Sequence, residues 1–127
     1  MSNLPIFDIA GSAMNAQSVR LSSIASNLAN ADSVSGDADT VYRAKQPVFT
    51  AQSVAGDPAL AGVQVTEVVE STAAQFAPTP RQPSMDGNTV DGERARAQFA
   101  QATLEYRASL SFVESKVRGM MTAITGQ

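Results

Sequence analysis

Apolar residues recur along the first thirty positions with the alternating three-four spacing of a helix that packs against another helix. The spacing holds from Phe7 to Ala31 with one polar member, Gln17, and such a rhythm is typical of a coiled-coil seam. Pro5 stands where proline is tolerated, in a first helical turn. The pattern predicts a first helix over residues 5–31. Its apolar seam consists of Phe7, Ala10, Met14, Leu21, Ile24, Leu28 and Ala31.

The same rhythm returns near the other end of the chain and predicts a second helix over residues 91–125. Asp91 provides a helix-starting side chain, Glu93 a first-turn acid and Gly126 a stop signal. The second seam consists of Phe99, Thr103, Tyr106, Leu110, Val113, Val117, Met120 and Ile124. Because the two seams lie at opposite ends of the chain, we expect the helices to pack antiparallel, seam against seam, within one subunit.

Between the helices the pattern changes to frequent Gly, Pro, Asp, Ser and Thr. The stretch GVQVTEVVES alternates Val63 and Val65 with polar residues, which predicts a strand. Residues 41–49 predict a short extended segment, and Pro47 keeps that segment out of the centre of a sheet. The remainder of this region predicts loop.

Together these elements predict a mainly α fold. The long N- and C-terminal helices pair as an antiparallel coiled-coil-like hairpin, with a small irregular and β-containing segment between them. We divide the chain into an N-terminal helical segment (residues 1–31), a loop-rich middle segment with short strands (32–90) and a C-terminal helical segment (91–127). The three form one structural unit, because 127 residues suit a single domain.

Composition argues against catalysis and against metal or cofactor binding. The chain has no histidine and no cysteine, so the commonest general base near neutral pH, the commonest metal ligand and the thiolate nucleophile are missing. Asp32, Asp37 and Asp39 resemble part of a calcium loop, but counting from Asp37 puts Tyr42 and Val48 where such a loop needs Gly and Glu. We expect no enzyme, no catalytic residue, no cofactor and no metal site.

Charge and hydropathy limit the partners. The nine lysines and arginines are scattered and the net charge is −3, which argues against nucleic acid, because phosphate binding needs clustered positive charge. The chain lacks an apolar run of the roughly 18 residues that a spanning helix requires, so we do not expect an integral membrane protein. The N-terminus also lacks the basic and hydrophobic regions of a cleaved secretion signal.

The far side of the first helix carries small uncharged groups where a solvent-exposed face usually carries Lys and Glu. Burying such groups costs modestly when they find hydrogen-bond partners, whereas burying charges costs far more. This face therefore suits contact with neighbouring helices. Gly11 and Gly119 each cost about 1 kcal/mol relative to Ala inside a helix, which a close helix approach would account for.

The second helix has apolar residues on the side opposite its seam. Leu104 and Phe112 would each forgo about 1.5–3 kcal/mol of burial in a lone two-helix hairpin, unless they pack under the middle segment of the same chain. We expect them instead to contact another chain. The predicted inter-subunit residues are Ser22, Ser26, Asn27, Asn30, Leu104, Ala108 and Phe112.

A family resemblance points the same way. The stretch IFDIAGSAMNAQSVRLSSIASNLANADSV, followed by YRAKQPVF and later by GVQVTEVVES, resembles the FlgC family of bacterial flagellar proximal-rod proteins. The C-terminal stretch RQPSMDGNTVDGERARAQFAQATLEYRASL, with GMM near its end, is more similar to the neighbouring rod family FlgB. Residues 1–75 thus resemble one rod family and 79–127 the other, with a junction near AAQFAPTP. A natural variant, an engineered chimera and a recombined sequence all account for this.

The resemblance implies a non-enzymatic subunit of the basal-body rod, the shaft that carries motor torque across the periplasm. Its implied partners are copies of itself, other rod proteins and the flagellar type III export apparatus, which exports such proteins without a cleaved signal peptide. The residues alone leave an alternative open: a soluble helical adaptor or export-chaperone-like module that binds one partner helix.

Overall fold

The structure, a computed structural model, describes residues 5–37, 40–54, 57–70 and 90–126. Its elements, in chain order, are helix α1 (Pro5–Ala29), strand β1 (Lys45–Val54), strand β2 (Asp57–Glu70) and helix α2 (Gly92–Thr125). The helices pack on each other, and the strands form a two-stranded antiparallel hairpin. The predicted mainly α fold, with paired terminal helices and a small β segment between them, is confirmed.

The helix ends follow local capping chemistry. Helix α1 ends at Ala29, two residues before the predicted end, because the chain tightens there into a turn in which Ala31 N donates to Leu28 O at 3.2 Å. Helix α2 has the predicted caps. Asp91 accepts a hydrogen bond from Arg94 N at 3.1 Å, and Gly126 adopts φ +73° while its N–H donates to Thr122 O.

The hairpin is longer than the short strands predicted, with strands of 10 and 14 residues. Its register pairs Lys45 with Glu70 and Phe49 with Val65. A bulge next to Phe49 leaves Thr66 as the extra residue on β2. Pro47 is accommodated on β1 because both strands of a two-stranded sheet are edge strands.

The hairpin lies lengthwise along α1. Its open end contacts Asn27 through Lys45, and further along, Val63 contacts Ser12. Val63 pairs with Ala51, so β1 advances roughly 20 Å between these contacts, while α1 covers roughly 22 Å between Asn27 and Ser12. The matched lengths let the hairpin follow the helix axis. Helix α1 therefore lies between α2 and the hairpin, and among the described elements α2 contacts only α1.

The core is made mostly of small side chains. The buried apolar residues among those described are Ala16, Ile24, Ala31, Val90, Ala95 and Ala102. Alanines let the helix axes approach closely but contribute little apolar area each. Residues 71–89, which include the junction near AAQFAPTP, lie outside the described part of the chain.

Candidate assembly interface

A cluster of polar side chains joins α1 to α2 midway along both helices. One carboxylate oxygen of Glu105 accepts hydrogen bonds from Arg20 Nη1 at 2.9 Å and from Gln17 Nε2 at 3.0 Å. The other accepts from Gln101 Nε2 at 2.9 Å. The bonds from Gln101 and Gln17 and the charge of Arg20 hold the pKa of Glu105 below its ordinary value, although desolvation opposes them. The cluster fixes the register of the helix pair.

This register is antiparallel and leaves the end of α2 without a partner on α1. Ala31 lies against Gly92, and Glu105 lies opposite Arg20. With equal rise per residue on both helices, the part of α2 near Arg118 is level with Pro5, where the described part of α1 begins. Ile124 lies beyond that level and is 78% exposed.

The residues of the predicted seam are therefore buried to different extents. Ile24 is buried, and the half-buried members are Phe7, Met14, Leu21, Leu28, Tyr106, Val113 and Met120. The remaining members, Phe99, Leu110, Val117 and Ile124, are exposed. Ile124 extends past the described part of α1, so the intramolecular contact predicted for it stays a prediction. Alanines, not the large seam residues, take most of the buried positions between the helices.

Asn27 attaches the start of the hairpin to α1. Its Nδ2 donates to Lys45 O at 2.9 Å, and its Oδ1 accepts from Lys45 N at 2.7 Å. The Tyr42 hydroxyl donates to the same Oδ1 at 3.0 Å and also contacts Ser26 Oγ at 2.9 Å. An amide can satisfy both backbone groups of one residue because it carries a donor and an acceptor side by side. We call Asn27, Tyr42, Ser26 and Lys45 the hairpin latch.

A second polar contact holds the hairpin near the other end of α1. Ser12 Oγ accepts a hydrogen bond from Val63 N at 3.1 Å and donates to Ile9 O at 2.7 Å. Between the two contacts Ser23 is buried and donates to Val19 O. Ser12 and Asn27 on the uncharged face of α1 thus bind the chain's own hairpin, a role that the sequence pattern did not predict.

The polar residues predicted to contact other subunits therefore differ in their surroundings. Asn27 is buried and its amide is taken up by Lys45. Ser26 contacts Tyr42, and Asn30 donates to the backbone oxygen of Ser26 at 2.8 Å. Ser22 is exposed. An inter-subunit role for these four residues stays a prediction, and it is simplest for Ser22.

The apolar residues predicted to contact other subunits lie open on the outer side of α2. Leu104 is 67% exposed and Phe112 is 48% exposed, with Ala108 exposed between them. Lys116 Nζ stands 5.3 Å from the centre of the Phe112 ring. Neither β1 nor β2 contacts α2, so the described strands of the middle segment do not bury these two side chains. We call Leu104, Ala108 and Phe112 the outer ridge.

The described residues contain no cluster of acidic side chains able to hold a metal ion. Within the same part of the chain, no helix combines the length and the apolar character needed to cross a membrane.

Comparisons with known proteins give a consistent picture. A family model described as "Flagella basal body rod protein" matches residues 7–36. The flagellar basal-body rod protein FlgC of Salmonella typhimurium is 40% identical over 132 aligned residues, covering 98% of this chain and 98% of that protein. FlgC of Escherichia coli O6:H1 is 39% identical with the same coverage. The flagellar basal body rod protein FlgB of Salmonella typhimurium is 34% identical, covering 90% of this chain and 88% of that protein.

The coverage of these alignments bears on the division of the chain predicted from the sequence. Since the alignment to FlgC spans 98% of the chain, that similarity continues well past residue 75. Since the alignment to FlgB spans 90% of the chain, that similarity begins well before residue 79. Both alignments cover nearly the whole chain, so a junction between two different rod proteins is not needed to explain them.

Proposed function

The chain belongs to the flagella basal body rod protein family, and we propose that it polymerises through its terminal helices into the basal-body rod. In this proposal the assembled helices form the shaft that transmits motor torque for motility. The observation that carries the proposal is the outer ridge, an exposed apolar strip on a helix that, among the described elements, contacts only α1.

The energetics of the outer ridge favour association with another chain. Burying a Leu or Phe side chain is worth about 1.5–3 kcal/mol relative to leaving it exposed. Leu104 and Phe112 are two turns apart on one side of α2, with the small Ala108 between them, so a single neighbouring helix can cover both. The subunit gains this burial only when it has a neighbour.

The small core of the subunit supports the same proposal. Its buried apolar residues, among those described, are alanines with one isoleucine and one valine. A core of this size gives modest stability, because hydrophobic stabilisation scales with the apolar area removed from water. A rod subunit exported unfolded through the flagellar type III apparatus, without a cleaved signal peptide, benefits from a fold that is completed by its neighbours.

The proposed partners are copies of this chain and other rod proteins, in a rod that spans the periplasm. No catalytic role is proposed, because the relatives are named as rod proteins. The competing proposal of an adaptor or export-chaperone-like module predicts a discrete soluble complex with one partner.

Basal-body purification separates these proposals. The chain is expressed as the sole copy of its rod protein in a flagellated bacterium, and purified basal bodies are probed for it. We expect the wild-type chain in basal bodies, and we expect the double variant Leu104→Ser, Phe112→Ser to be absent from them. The matched control is Val34→Ser, because Val34 is 63% exposed in the loop after α1; this variant should assemble normally.

Two results would contradict the proposal. One is the double variant entering basal bodies in normal amounts. The other is the wild-type chain recovered only as a soluble complex with a single partner, which favours the adaptor. Far-UV circular dichroism of the purified double variant checks that its loss from basal bodies does not reflect unfolding.

A further inference from the structure

Two glycines inside helices make no close packing contact within the described part of the chain. Gly11 lies in α1 and Gly119 in α2, and glycine destabilises a helix interior relative to alanine. A Cβ atom built on either glycine meets nothing within 4 Å. No packing among the described residues therefore requires a glycine at these positions, and a close approach from outside the subunit would account for them.

Gly11 belongs to a row of exposed, uncharged residues that repeats with alternating four- and three-residue spacing. The row consists of Gly11, Asn15, Ser18, Ser22, Ala25 and Ala29, and we call it the α1 stripe. At 100° per residue the centre of the α1 stripe lies about 120° from Gln17, which meets α2, and about 100° from Ser12 and 160° from Asn27, which hold the hairpin. It is the third side of α1, and the described part of the chain leaves it exposed.

Gly119 lies on the same side of α2 as the outer ridge. Ala95 and Ala102 mark the side of α2 that is buried against α1. At 100° per residue Leu104 points about 160°, Ala108 about 120° and Phe112 about 80° away from Ala102. The centre of the outer ridge therefore faces away from α1, and the outer ridge and the α1 stripe lie near opposite outer edges of the two-helix layer.

We propose that the outer ridge of one copy packs onto the α1 stripe of the next copy. The two surfaces are complementary in size, since one presents Leu104 and Phe112 and the other only Gly, Ala, Ser and Asn. The residues of both surfaces are uncharged, so their own burial avoids the cost of burying unpaired charges, whereas the Lys116 ammonium over the Phe112 ring has to move aside. This docking rests on the proposed rod function and specifies which surfaces of neighbouring copies meet.

The second copy is the fitting occupant because the contact continues the helix layer of the subunit. Each α2 then lies between its own α1 and the α1 of the next copy. Since the paired surfaces differ and lie at opposite edges, the contact is head-to-tail and leaves a free surface at each end for further copies. When all copies point the same way, α2 crosses the next α1 antiparallel, as it crosses its own. Without an axial shift, Phe112 then faces Gly11.

The size of the contact predicts its strength. The outer ridge extends roughly 12 Å from Leu104 to Phe112, less than half of the roughly 27 Å length of the α1 stripe, so the footprint is well below the approximately 800 Å² per partner of a stable pairwise interface. One such contact is weak. The docking therefore produces assembly at high concentration or alongside other rod contacts, and not a tight isolated dimer.

The first test replaces Gly11 with larger residues. Gly11→Ala should raise the thermal midpoint of the dilute chain, because alanine favours helix and the added Cβ meets nothing in the subunit. Gly11→Leu should keep the far-UV circular dichroism spectrum and lower the association constant, measured from sedimentation at high concentration, roughly ten-fold, which is about 1.4 kcal/mol of association free energy. Glu114→Leu, which adds the same side chain on the charged side of α2, should assemble like the wild type.

The second test uses the absence of cysteine from the chain. Purified Ser18→Cys and Ala108→Cys variants are oxidised separately and as an equal mixture. We expect a disulfide-linked dimer in the mixture, joining one variant to the other, and little in either variant alone. Dimers within Ser18→Cys alone would mean that two stripes face each other, and this would overturn the proposed docking.

The outcomes separate the docking from the proposed function. If the wild type sediments at high concentration and Gly11→Leu sediments equally, this docking is wrong while self-assembly stands. If the wild type does not assemble and is missing from basal bodies, the rod function itself is wrong, and the docking fails with it.

Discussion

Asn27 binds both backbone groups of Lys45: its Nδ2 donates to Lys45 O at 2.9 Å and its Oδ1 accepts from Lys45 N at 2.7 Å. The two residues lie on different elements, α1 and the first position of β1. This pair therefore decides where the hairpin begins and at which level along α1 it lies.

Replacing Asn27 with Ala removes both bonds to Lys45 and leaves two backbone groups without their partner. Each hydrogen bond contributes about 0.5–1.5 kcal/mol net, and an unsatisfied buried group costs more, so we expect a loss of about 2–3 kcal/mol in the free energy of unfolding. Hydrogen exchange of the Lys45 amide should accelerate. Asn15→Ala is the matched control, because Asn15 is exposed on the same helix. Equal stability of the two variants would show that the latch does not hold the hairpin.

The Tyr42 hydroxyl bonds Asn27 Oδ1 at 3.0 Å and Ser26 Oγ at 2.9 Å. Tyr42→Phe keeps the ring and removes these bonds, so urea unfolding should show a loss of about 1 kcal/mol. Tyr106→Phe serves as the control, since no hydrogen bond of its hydroxyl is seen within the described residues. Its stability should change by less than about 0.5 kcal/mol. A Tyr42→Phe variant as stable as the wild type would contradict the role given to this hydroxyl.

Glu105 gives the helix pair a defined pH dependence. Its folded-state pKa is lowered from the ordinary value of 4.5, so its stabilising contribution is present above pH 4.5 and is lost as the pH falls through the lower folded pKa. Because the cluster is about one-third open to solvent, we expect the contribution to stay below about 1 kcal/mol. Urea unfolding of wild type and Glu105→Gln between pH 7 and pH 3 measures it. A difference that grows towards low pH would contradict this assignment.

The helices and their caps could be predicted from the sequence because their signals are local. The three-four spacing of the seams is visible within two helical turns. The capping residues Asp91, before α2, and Gly126, after it, act on the adjacent helical turn. The strands were predicted too short. Alternation of apolar and polar residues was clear around Val63 and Val65. The residues further along each strand are extended because they pair with the opposite strand, and no short stretch of sequence specifies that pairing.

The roles of the polar residues on α1 could not be predicted for a different reason. In the sequence, Asn27 and Ser22 have the same features: both are uncharged polar residues away from the seam. In the structure Asn27 is buried against Lys45 and Ser22 is exposed, because the hairpin folds back over one side of α1. That choice depends on where a distant segment lies. The outer ridge was easier to predict, since Leu104 and Phe112 are large apolar residues opposite a seam.

This subunit completes the burial of its helices only by contact with other copies. Light scattering and far-UV circular dichroism on the purified chain, over a concentration series, measure this dependence. We expect particle mass to rise with concentration in the wild type and in Val34→Ser, while the double variant Leu104→Ser, Phe112→Ser stays monomeric with similar helix content. A wild-type chain that remains monodisperse and fully helical at every concentration would show instead that its helix faces are satisfied within one subunit.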